Sequence, residues 1–124
     1  MEYLLVFIGS GIGGALRHGV NVLSLSLFGM NFPYGTLFIN IAGSALMGAV
    51  IGLFAGSHLA GQEARLFLTT GILGGFTTFS TFSLETVTLW ERGQHAATIG
   101  YVLASVLVSV AALGMTLMVM RRCI

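Results

Sequence analysis

An all-α membrane protein with four transmembrane helices is the fold this sequence predicts, and three observations predict it. Hydrophobic residues make up 56% of the 124 and charged ones 7%, with no lysine and a mean hydropathy of +0.96. So few polar groups cannot coat a soluble globule, and so short a chain cannot hide that much apolar surface in its own core. The apolar residues also fall into four stretches, each near the roughly 20 residues that cross a bilayer.

The spans are placed at residues 3–28, 33–55, 62–90 and 96–120, within a single domain covering 1–124. Short connections separate them: Met30–Pro33, Gly56–Gly61 and Glu91–His95. Pro33, the only proline, suits the first turn of the second helix, and Trp90 beside Glu91 and Arg92 reads as an interfacial anchor. Glu2 stands where a signal peptide would carry basic residues, so the first stretch is read as a retained span. Neither a soluble domain nor a linker is expected. Cys123 is the lone cysteine, which excludes an intrachain disulfide, and a net charge of +1 gives no attraction to nucleic acid.

Charge gives only a weak orientation. With a cytoplasmic N-terminus, Arg65, Arg121 and Arg122 lie inside, Arg92 lies outside, and Arg17 sits within the first span. So small a bias is compatible with insertion in both orientations and antiparallel pairing. A single orientation fixed by Arg121 and Arg122 is the alternative.

The third span is the least ordinary. Residues 71–85 read Gly-Ile-Leu-Gly-Gly-Phe-Thr-Thr-Phe-Ser-Thr-Phe-Ser-Leu-Glu, with paired glycines and a hydroxyl-rich run where plain apolar helix is expected. A backbone interruption at membrane depth persists only where it is buried in protein or lines a wet cavity. Such breaks expose carbonyls and helix ends to ions. The break is expected at Gly74–Thr77. Phe76, Phe79 and Phe82 are spaced by three and, if helical, stack along one face. Such a stripe either packs against lipid or protein, or turns its electropositive ring edges to an anion.

Other polar residues within the spans add candidates. Asn40, mid-way along the second, has two amide donors for an anion or a neighbouring helix. Arg17 and Glu85 are ionisable groups inside spans, either functional or paired with each other. Tyr101, Ser105 and Ser109 recur every four residues along the fourth span as one hydroxyl stripe. Gly9/Gly13, Gly48/Gly52/Gly56 and Gly71/Gly75 have the GxxxG spacing of closely packed helices, within one subunit or between subunits. His18, His58 and His95 fall on the first helix and on loops at opposite membrane faces, and no phosphate-binding loop is present, so an enzyme is not expected.

Gly14–Arg17, Gly35–Thr36 through Asn40 and Gly43, and the string Gly74–Phe82 together resemble the Fluc (CrcB) family of small fluoride channels. The resemblance implies an antiparallel, dual-topology homodimer in a bacterial inner membrane, with two pores passing fluoride down its gradient. It implies that Phe79 and Phe82 line the pore, that Asn40 is a donor beside them, and that Tyr101, Ser105 and Ser109 form a hydroxyl track. Arg17 would make the vestibule attractive to anions. The carbonyls of Gly74 and Thr77 from both subunits would hold one structural Na+. A proton-coupled drug exporter and a non-conducting assembly subunit are the rival readings. The first needs an embedded carboxylate, for which only Glu85 offers itself; the second gives the break no purpose.

Overall fold

A computed structural model describes residues 1–55 and 61–123, all of them in helices or short connections. α1 (Glu2–Phe28), α2 (Tyr34–Ala55) and α5 (His95–Cys123) are each long and apolar enough to cross a membrane. Between them the third segment is split into α3 (62–76) and α4 (Phe79–Glu91). The helix ends agree with the sequence to within three residues, and Pro33 sits one residue ahead of α2, its carbonyl accepting from Leu37 N at 3.2 Å. The Gly56–Gly61 connection, with His58 and the third glycine of Gly48/Gly52/Gly56, lies outside the described residues save for Gly61.

The break is real but stands two to three residues later than the glycines suggest. Gly74 and Gly75 are helical; the extended residues are Thr77 (φ −82°, ψ 157°) and Thr78 (φ −151°, ψ 125°). As a result Phe76 belongs to α3, while Phe79 and Phe82 belong to α4, so the three rings do not form one helical stripe. The break also changes what the chain packs on. α3 lies along α1, whereas α4 lies against the first half of α5.

The glycines serve the first of these contacts. A Cβ on Gly9 would stand 2.8 Å from the Gly71 Cα, and one on Gly75 2.8 Å from the Ser10 Cα. A Cβ on Gly13 would collide with the Ile72 carbonyl oxygen. Both GxxxG pairs thus meet each other inside one subunit, backbone against backbone. Gly48 and Gly52 do the same for α2 against α5, where a Cβ on Gly52 would come within 2.6 Å of the Met120 Cβ. Here Thr116 Oγ1 donates across to the Ala45 carbonyl at 2.8 Å. Interhelical hydrogen bonds of this type contribute about 0.6 kcal/mol on average in a membrane protein. Thr116→Val is expected to lower stability by about 0.5–1.5 kcal/mol, read as a small drop in the thermal midpoint in detergent.

Few side chains are buried. Ile39, Leu73, Leu89 and Tyr101 are the buried hydrophobics, while Leu, Val, Ile, Phe and Met side chains cover the outside. That is the surface of a protein whose solvent is hydrocarbon. Trp90 stacks on His95 with centroids 3.9 Å apart at the α4–α5 turn, a flat amphipathic pair suited to the headgroup level.

Candidate ion-conducting site

The site grows from how the break is satisfied. Thr78 N–H cannot reach the Gly74 carbonyl once its own backbone is extended; it donates instead to Asn40 Oδ1 at 2.9 Å. Asn40 Nδ2 donates back to the Thr78 carbonyl at 3.0 Å. One amide on α2 therefore satisfies both peptide groups of the central residue of the break. Thr78 Oγ1 accepts from Thr81 N at 3.2 Å and caps α4. The carbonyls of Gly74 to Thr77 all lose their normal i+4 donors here: Thr78 and Thr81 N–H bond side chains instead, and Phe79 and Ser80 N–H open α4.

A cavity of about 400 Å³ opens beside the break. Asn40, Thr77, Phe79, Phe82, Ser105 and Ser109 all line it, so six of the nine candidate residues share one chamber. The Phe79 and Phe82 rings lie 5.6 Å apart at 49°. The hydroxyls of Ser105 and Ser109 are buried and have no hydrogen-bond partner among the described residues. Buried hydroxyls are nearly always bonded, so two bare ones are an exception that the described residues leave unmatched. A wider π-helical turn over Ala104–Val108 keeps these serines in line with Tyr101. In a regular α-helix, residues 101 and 109 would be rotated about 80° apart. Such turns recur at functional sites.

Tyr101 stands behind this chamber rather than in its wall. Its ring packs on Phe82 at 5.2 Å and meets Phe32 edge-on at 5.5 Å and 86°. Its hydroxyl donates to Glu85 Oε1 at 3.4 Å, and the buried Thr36 lines the same pocket as Glu85. Glu85 is thereby tied to the hydroxyl network and not paired with Arg17. Thr36, only 2% exposed, stood in a motif of the resemblance without a role assigned to it, and Phe32 was not singled out. Arg17 is half-buried on α1 and lines neither this chamber nor the one beside Glu85. Gly74 is exposed at the surface of the single chain.

Comparison with known proteins agrees along almost the whole length. The chain matches the family described as CrcB-like protein, Camphor Resistance (CrcB), over residues 4–117. It is 58% identical over 122 residues to the Fluoride-specific ion channel FluC of Methylobacterium nodulans, covering 98% of each chain. It is 55% identical over 124 residues to the protein of that name from Granulibacter bethesdensis, covering 100% of this chain and 98% of the other. Fluoride-specific ion channel FluC 2 of Nitrobacter hamburgensis is 46% identical over 122 residues, with 98% of each covered. With its long apolar helices, its split third segment and this match, the chain belongs to the CrcB-like family of multi-pass membrane proteins, which are ion channels and not enzymes.

Proposed function

We propose that this protein is a fluoride-selective passive channel that lets fluoride leave the cytoplasm across a bacterial inner membrane. The observation that carries the proposal is the chamber at the break, with phenyl rings on one side and two unpartnered serine hydroxyls on the other. The names of the relatives supply the ion. Fluoride is small and strongly hydrated, so a pore must replace its water with donors while holding it weakly enough to release it. Serine hydroxyls give strong O–H donors, the second Nδ2–H of Asn40 one more, and ring edges a weaker electropositive contact. The N-terminus of α4, a 13-residue helix beginning at Phe79, adds free backbone N–H groups and the positive end of its dipole.

The functional unit we propose is an antiparallel pair of identical chains with two pores along their interface. Weak charge bias, the 77% exposure of Phe79 and the exposure of Gly74 support it. The carbonyls of Gly74 and Thr77, assigned by the family resemblance, are compatible with a structural Na+, since both stand among the four that the break strips of backbone donors. Hard carbonyl oxygens suit such a cation. When bound, it would offset the cost of an anion crossing a low-dielectric interior. Arg17 would draw anions toward the pore from the aqueous side.

Efflux from liposomes tests the reading. Purified protein is expected to release fluoride rapidly once a potassium ionophore shunts the charge, while chloride stays inside. Protein shown to be folded that releases no fluoride would defeat it.

A further inference from the structure

A second cavity, of about 290 Å³, lies on the far side of Tyr101 from the phenylalanine chamber. The face of α4 that lines it carries Thr81, Glu85, Thr88 and Arg92, at the i, i+4, i+7, i+11 spacing of a single helix stripe. Asn21 of α1 stands in the same wall. Its inner end is the buried Thr36 beside Glu85, and its outer end is framed by exposed Gly29 and Met30. At about 1.5 Å per residue, Arg92 sits about 10 Å further out along α4 than Glu85. Arg92 Nη1 donates to the Met30 carbonyl at 3.4 Å, which holds the guanidinium at the cavity mouth. The fork has five N–H donors, and this bond uses one. Glu91, its acidic neighbour in sequence, does not line the cavity.

An anion leaving or entering by this cavity meets a carboxylate at the inner end. A fixed positive charge at the mouth counters that repulsion and raises the local anion concentration. We infer that this cavity is an antechamber for a small monovalent anion, with Arg92 as the residue that concentrates it there. The inference rests on the channel reading above and adds a second cationic residue to Arg17. For an ion passing about 5–10 Å from the guanidinium in water, the effect is about two- to fourfold at low ionic strength. It vanishes near 1 M salt, where the screening length is about 3 Å.

The test is the single-channel fluoride current at low ionic strength and at 1 M impermeant salt, for the unmodified chain, Arg92→Gln and Arg92→Lys. Single-channel amplitude reports only channels that have folded and opened. Arg92→Gln is expected to pass about two- to fourfold less current at low ionic strength and to match the unmodified chain at 1 M. Arg92→Lys, which keeps the charge but not the fork, is expected to match it at both. Three results would overturn the antechamber: an unchanged current in Arg92→Gln, an equal fall at both salt levels, or a fall in Arg92→Lys as large as expected for glutamine. The last two would mean that the bond to Met30 matters and the charge does not. No fluoride current from the unmodified chain is a separate result, and it would remove the channel reading itself.

Discussion

Replacing Asn40 by alanine is expected to destabilise the protein by several kcal/mol. The side chain holds both peptide groups of Thr78, at 2.9 and 3.0 Å, and hydrocarbon offers neither group a substitute. Leaving a buried donor and a buried acceptor unmade costs about 1–3 kcal/mol each, so the loss is about 2–6 kcal/mol. The measurement is the fraction of protein that stays monodisperse after graded heating in detergent. A profile superimposable on that of the unmodified chain would dismiss the clamp. Asn40→Asp separates the two bonds: it keeps the acceptor for Thr78 N–H but turns an oxygen toward the Thr78 carbonyl. It is expected to fall at least as far as alanine. A role for Asn40 as a pore donor is confined to its one remaining N–H.

Fluoride flux is expected to fall at least tenfold in Phe82→Leu. Phe82 lies between Phe79, at 5.6 Å, and Tyr101, at 5.2 Å, and lines the chamber. Leucine keeps an apolar side chain in the gap but has no electropositive edge. An edge interaction of about 1.4 kcal/mol, lost where the ion must pass, is a factor of about ten in rate. Flux per assembled channel is the quantity to compare, with assembly checked by size-exclusion. Undiminished flux from correctly assembled Phe82→Leu would take the ring out of the ion path.

The three long apolar helices were legible because a run of about 20 apolar residues, in a chain too short to bury it, has only lipid to face. The neighbourhood of the break was legible too, but not the residues that open it. Glycine marks both flexible backbone and close approach, and sequence does not say which. At Gly71 and Gly75 the answer is close approach to Gly9 and Ser10, while the extended residues are the threonines after them. What fixes the opening there is an amide 38 positions earlier, a partnership no local pattern carries. The same limit misplaced Phe76. Its spacing from Phe79 was right for a helix, but the chain straightens between them. Glu85 was legible as an anomaly, and its partner Tyr101 follows from how α4 and α5 pack. The serine stripe was legible; the widened turn that keeps it straight was not.

The divided third segment also bears on how the chain is made. α1, α2 and α5 satisfy their own backbones and can each rest in lipid as they leave the ribosome. The third segment cannot, because Thr78 would expose bare peptide groups to hydrocarbon. It becomes a stable span only where α2 already stands to receive it. Order of arrival is thereby written into the structure: the helix carrying Asn40 is synthesised before the segment it must complete, and a permuted chain offering the two in reverse would have to wait, half-inserted, for its missing partner.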